Sequence, residues 1–222
     1  MPETLTPAAF LQSEGVADWT ILGDGACAYY PTRSFAASAR FVVGIAALPG
    51  IAGHPPDVDI RPGGITVRLV TVTPEHYGMT TEDLEAARAI SALARSLGLA
   101  ADSSHLQSVL VIPGAGDAAA VMPFWEAALG YTRRPDSPGE DLIDPGNRGP
   151  AFWFETMEQL RGDGGGSIHI AVWVPPAHAE ARVAEALAAG GHMVRDEFAP
   201  SWWTLADAAG NEIDISSISG RE

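Results

Sequence analysis

Imidazole is the side chain best suited to moving protons near neutrality, and this 222-residue chain has six histidines. His54 stands in Gly-His-Pro-Pro-Asp at 53–57, and His76 in Thr-Pro-Glu-His-Tyr at 73–77. For His54 two readings are open, a surface-loop residue shaped by Pro55 and Pro56 or a pocket group. His76 reads as a solvated loop residue. Asp83 falls in the first turn of a helical stretch, where acids are favoured by the helix dipole whether or not they touch a substrate. His169 opens the strand-like run Ile-His-Ile-Ala-Val-Trp at 168–173, while His178 and His192 occupy helix-start and turn positions and read as solvated. Aromatic residues are dense after residue 120: Trp125, Phe152, Trp153, Phe154, Trp173, Trp202 and Trp203. Strand alternation sends roughly half of such a set to one face, where flat walls suit a heterocycle, and the remainder to the core. The run Gly162–Gly166 lacks the lysine and the strand-to-helix context of a phosphate loop, and reads as a flexible loop.

These residues need elements to hold them. Residues 7–15 read as a short helix, and 19–22 and 26–30 as strands around the turn 23–25. Ser34 caps a helix over 34–48 with Phe35, Ala39, Val42, Val43 and Ala46 on its inward face. Residues 53–64 read as a loop before a strand at 65–72, whose edge is left open to pair with a second copy. Thr80-x-x-Asp83 has capping-box spacing ahead of a helix over 81–98. The order α-β-β-α-β-α predicts an α+β domain over 1–98, an antiparallel sheet with helices on one face. Residues 99–105 read as a linker.

Beyond the linker the pattern repeats weakly. A strand at 106–112, a helix at 118–130 and strands ending at 151–157 are followed by a strand at 168–174, a helix at 177–191 and strands ending at 204–216. A period of about 60 residues repeated twice predicts a duplicated βαβββ domain over 106–217 with a pseudo-two-fold core.

Composition bounds the function classes. The chain is 46% hydrophobic and 18% charged, with a formal net charge of −15 from 13 basic and 28 acidic residues. That field repels phosphate backbones and anionic lipid, so neither nucleic acid nor membrane is an expected partner. A lone cysteine, Cys27, makes no intramolecular disulfide, and the N-terminus lacks the pattern of a secretory signal; both point to a cytoplasmic protein.

The stretch from Gly53 to Ala87, with His54, Pro56, Gly78-Met79-Thr80 and Asp83, resembles the signature of pterin-4a-carbinolamine dehydratases over residues 4–98. The resemblance implies an α+β fold that forms dimers and tetramers. It also implies removal of water from a 4a-hydroxytetrahydropterin, in which a ring nitrogen loses a proton while the departing hydroxyl gains one. His54, His76 and Asp83 are the site candidates it suggests. His54 matches the first of three family histidines, Pro55 stands at the second, and the third falls on Val72 or Pro74 with His76 displaced nearby. With one histidine of three in register, the expected activity is reduced or lost.

Phe124-Trp125-x-x-x-Leu129-Gly130-Tyr131 and Asp207-x-x-Gly210-Asn211 make residues 106–217 similar to the glyoxalase-like branch of the vicinal-oxygen-chelate superfamily. That resemblance implies two half-barrels around a cleft for a divalent metal or a ligand. His169 and Asp214 match ligand positions in the second half, and Gln107 matches the opening position in the first. With Phe154 lining the cleft, Glu155 points away. Two or three donors make a weak or empty metal site. The favoured expectation is therefore a metal-free cleft for an organic ligand, with His169, Trp153, Trp173 and Gln107 around it. No cofactor is certain, and a divalent metal in the C-terminal domain is the one candidate. Expected partners are a pterin or another heterocycle and a second copy of the chain. The alternatives are a metal-dependent lyase or dioxygenase, and a non-catalytic small-molecule-binding oligomer.

Overall fold

Alternation builds the first sheet. The computed structural model describes residues 3–23, 25–157, 168–206 and 212–220, with the backbone alone at Phe124, Ala127, Ala128, Ile168 and His169. It divides into two units, the first running to Leu106 and the second spanning Gln107–Gly220. In the first unit, β1 (Thr4–Leu5) and α1 (Pro7–Leu11) precede the hairpin β2 (Thr20–Leu22) and β3 (Gly25–Pro31). Then come α2 (Phe35–Ala46), β4 (Asp57–Arg61), β5 (Gly64–Leu69), β6 (Thr71–Thr73), β7 (His76–Thr80) and α3 (Thr81–Ser96). Ala26, Ala28 and Tyr30 of β3 register with Leu69, Val67 and Ile65 of β5, and all six are buried on one face. The helices cover that face. The Tyr30 ring meets Phe41 of α2 edge-on with centroids 5.1 Å apart, and Trp19 Nε1 donates to Ala87 O and Ser91 Oγ of α3.

Three expectations need correction. The segment 53–64 is not all loop: β4 pairs with β5 along its whole length, giving the antiparallel order β2-β3-β5-β4. Prolines and aspartates mask the strand, but Val58 and Ile60 alternate inward beside Val67 and Ile65. β5 therefore has a neighbour on both sides, and the open edge expected there does not exist. Next, the α2 face is rotated. Ser38, Phe41 and Ile45 are buried, while Phe35 is 65% and Val43 70% exposed. Phe41 follows Tyr30, Ser38 Oγ lies 2.7 Å from Thr32 Oγ1, and Gly44 lets α3 approach so closely that a Cβ there would stand 2.9 Å from Leu93 Cδ2. Lastly, His76 is not in a loop but begins β7, which pairs with β6 and β1 in a separate three-stranded sheet, β1-β7-β6. The segment 99–105 also runs along the first unit: Asp102 N–H donates to Tyr29 O, and the His105 ring lies 4.6 Å from that of Tyr29.

The second unit is a duplicated βαβββ. Its first half comprises β8 (Ser108–Ala115), α4 (Ala118–Leu129), β9 (Thr132–Arg133), β10 (Asp141–Ile143), β11 (Ala151–Trp153) and β12 (Glu155–Thr156). The second half comprises β13 (Ile168–Trp173), α5 (Pro176–Ala188), β14 (His192–Arg195), β15 (Trp202–Ala206) and β16 (Glu212–Ser216). The main strand order, β14-β15-β16-β13-β8-β11-β10-β9, is symmetric about the antiparallel β13·β8 pair, and β12 continues along β8. Gly130 closes α4 at φ 67°, a left-handed conformation that suits glycine. Each half has its own core. Met122, Leu142, Phe152 and Phe154 form one, and Val174, Val183, Trp203, Leu205 and Ile215 the other. Both units are mixed α+β. Among the described residues no helix is long and apolar enough to cross a membrane.

Candidate functional site

The start of α3 carries the best-furnished site. Asp83 is its third residue, and its carboxylate Oδ2 accepts the Thr80 N–H at 2.8 Å, which ties it to the helix N-terminus. The same oxygen accepts from Thr71 Oγ1 at 2.7 Å and Thr80 Oγ1 at 3.1 Å. The other oxygen, Oδ1, lies 2.7 Å from His54 Nε2. Asp83 is fully buried and the His54 side chain 18% exposed. A buried carboxylate is tolerable when its lone pairs are filled, and here three donors converge on Oδ2 while the His54 ring nitrogen meets Oδ1. His54 is placed by its backbone, which donates to Gly50 O and Ile51 O at the turn after α2.

His76 belongs to the same neighbourhood by register. Thr71 pairs with Gly78 and Thr73 with His76, so Thr71, Thr73, His76, Gly78 and Thr80 share one face of the small sheet. Two of them, Thr71 and Thr80, hold Asp83. The imidazole of His76 lies over Gly78, where a Cβ would come within 3.2 Å of Cε1 and 3.4 Å of Nε2. Its Nε2 is buried and has no hydrogen-bond partner among the described residues. Such an atom costs about 1–3 kcal/mol if left unpaired, so it marks a place where a ligand's polar group would be welcome. Thus His54 and Asp83 are in direct contact, with His76 on the adjoining strand face. Thr71 and Thr80 are donors to Asp83 that sequence reasoning missed; the capping-box spacing pointed to Thr80, whereas nothing in the strand pattern marks Thr71.

In the second unit the strand pairing defines equivalent positions. Phe152 pairs with Val111 and Leu142 as Ile213 pairs with Ile170 and Leu205. It follows that Trp153 is the counterpart of Asp214, and Leu110 that of position 169. Asp214 Oδ1 accepts from Thr204 Oγ1 at 2.7 Å, and Asp214 registers with Ala171 on the face away from α5. Position 169 and Trp173 fall on that face by backbone alternation, and so does Trp153, whose Nε1 donates to Glu140. How the His169 side chain is turned lies outside the described residues, as do the 207–211 turn, the 162–166 run and the side chain of Phe124. Gln107 precedes β8, and its Oε1 accepts from Arg182 of α5 at 3.4 Å; it does not join Asp214. Phe154 is buried in the α4 core, so Glu155, paired with Gly114, falls on the opposite face rather than pointing away from it. Among the described residues no group of three or more metal-ligating side chains forms.

Comparison with known proteins accounts for both halves. Residues 3–93 match the family model of pterin 4 alpha carbinolamine dehydratase. A putative pterin-4-alpha-carbinolamine dehydratase from Nocardia farcinica is 37% identical over 82 residues, which cover 37% of this chain and 84% of that relative. Through its first unit, the chain belongs to the pterin-4a-carbinolamine dehydratase family. Residues 109–216 match the model of a glyoxalase-like domain, so the chain joins a dehydratase-family unit to a glyoxalase-like one. Among solved structures, a transcriptional coactivator/pterin dehydratase from Brucella melitensis is 20% identical, covering 41% of this chain and 99% of its own, with a TM-score of 0.36. A glyoxalase/bleomycin resistance protein/dioxygenase superfamily member from Vibrio splendidus is 15% identical, covering 50% and 99%, with a TM-score of 0.32. In the dehydratase-family unit the matched His54 and Asp83 touch, whereas Pro55 offers no side-chain donor or acceptor at the position where the resemblance implies a second histidine.

Proposed function

We propose that the first unit acts on a 4a-hydroxytetrahydropterin and eliminates water slowly, with His54 as its principal acid–base group. The observation that carries this reading is the 2.7 Å contact between His54 and a fully buried Asp83 whose other oxygen is held by three donors. A histidine backed by a fixed carboxylate is the arrangement that orients an imidazole for proton transfer. In the reaction the ring nitrogen gives its proton to the imidazole as the C=N bond forms and the C4a–O bond breaks, and the imidazolium returns that proton to the departing hydroxyl, which leaves as water. His76 contributes a buried Nε2 on the adjoining strand face, suited to hydrogen-bonding the substrate. Each general acid–base group is worth about 10²–10⁴-fold, so a unit with Pro55 in place of a second histidine turns over well below a three-histidine relative. The test is a dehydratase assay on the full chain. Slow turnover abolished in His54→Ala supports the reading; a rate that His54→Ala leaves unchanged removes it.

The glyoxalase-like unit is proposed to bind a small organic ligand on the face that carries Asp214, Trp153 and Trp173. A divalent ion fits poorly there. Leu110 and Trp153 occupy the positions equivalent to 169 and 214, so the matched donors come from one half of the sheet only, whereas catalytic zinc sites usually supply three protein ligands. Metal analysis of protein purified without chelator tests this, and a stoichiometric ion would overturn it.

A further inference from the structure

The contact between His54 and Asp83 has a direction, and this inference rests on the reading of His54 as the acid–base group. We propose that Asp83 is a positioning residue that locks His54 in its Nε2–H tautomer, so that Nδ1 is the nitrogen that exchanges protons with the substrate. Asp83 Oδ1 is 2.7 Å from Nε2, and an ionised carboxylate only accepts, so Nε2 carries the hydrogen. The carboxylate cannot swing to offer anything else. Its Oδ2 is pinned by the Thr80 N–H at the helix N-terminus and by the hydroxyls of Thr71 and Thr80, which stand on two different strands. The helix cap thus serves twice, one oxygen closing the first turn of α3 and the other setting the imidazole. Among the described residues none hydrogen-bonds Nδ1, and the side chain is 18% exposed rather than sealed in the core. In the elimination, Nδ1 takes the proton of the pterin ring nitrogen as the C=N bond forms. The imidazolium then holds hydrogens on both nitrogens until Nδ1–H gives its proton to the hydroxyl departing from C4a, which leaves as water, and its Nε2–H remains on Asp83 throughout.

Nitrogen-15 NMR of the full chain labelled at histidine reads the tautomer directly, with His54 assigned by its loss in His54→Gln. In its neutral form His54 is expected to show a protonated Nε2 and a bare Nδ1. Asp83→Asn keeps an oxygen for Thr80 and the two hydroxyls but turns an amide N–H₂ toward His54. Nε2 must then accept, and the tautomer inverts to Nδ1–H. The same variant should lower kcat by about 10²-fold or more with KM little changed, since the base term as a whole is worth 10²–10⁴. A wild-type His54 in the Nδ1–H form overturns the proposal, as does an Asp83→Asn variant that keeps both tautomer and turnover. If Asp83→Asn does not fold, the wild-type spectrum decides alone. An Nε2–H spectrum on a protein with no dehydratase turnover leaves the positioning role standing and removes the pterin reading instead.

Discussion

Thr71→Val isolates one strut of the site without opening a cavity. Valine has nearly the shape of threonine, so the buried volume is kept and only the hydroxyl is lost. That hydroxyl donates to Asp83 Oδ2 at 2.7 Å and lies 2.9 Å from Thr80 Oγ1. A hydrogen bond to a charged group contributes about 1.5–3 kcal/mol. Oδ2 keeps two other donors, the Thr80 N–H at 2.8 Å and its hydroxyl at 3.1 Å, which puts the loss at the lower end, about 1.5 kcal/mol. In a unit of this size that lowers the midpoint temperature by about 4–8 °C for each kcal/mol. The chain supplies its own reporter. Cys27 is its sole cysteine, free and buried in β3, so maleimide labelling across a urea series follows unfolding of the first unit and ignores the second. A labelling midpoint for Thr71→Val within about 0.3 kcal/mol of wild type, or above it, would refute the argument that this hydroxyl supports the Asp83 carboxylate.

Burial pushes the Cys27 thiol up to about 11, with Arg68 opposing the shift and Asp57 adding to it. A folded-state value raised above the unfolded one gives stability that is complete at neutral pH and lost as pH climbs from the ordinary thiol range through about 11. Urea midpoints should fall over that window, and less so in Cys27→Ala; identical alkaline profiles would contradict this. The backbone N–H groups of Gly146, Gly149 and Arg148 hold the Asp144 carboxyl below the usual carboxylate range. Its contribution is therefore present at neutral pH and lost as pH falls through the depressed folded value, and a carbon-13 titration midpoint at or above the ordinary value would count against it. Self-association is expected through α2, where Phe35 and Val43 are exposed, because the terminal strand β4 alternates charges that resist edge pairing. Sedimentation of a 23.2 kDa monomer at micromolar concentration would exclude it.

What the sequence determined by itself is what short-range pattern encodes. The βαβββ duplication, the Ser34 and Thr80 helix starts and the hairpin before Tyr30 follow from local caps, turns and periodicity, and these elements stand in the structure. The two family resemblances were likewise legible, because they rest on residues at fixed spacing and the family models match the same two stretches. Tertiary structure decided what depends on partners far along the chain. The apolar residues of α2 allow more than one inward face, and Tyr30 and Leu93 selected the one with Phe41. β4 has little strand propensity of its own, with three charged residues in five, and exists because β5 offers it a ladder. The site shows the same division. Asp83 was legible as a helix-start acid, and His54 as a loop histidine. Only the turn after α2 brings the two within 2.7 Å across 29 residues of sequence, and only the pairing of β6 with β7 delivers Thr71 to the same carboxylate. Local pattern sets where an element begins and which residues it can present; long-range packing chooses which of them meet.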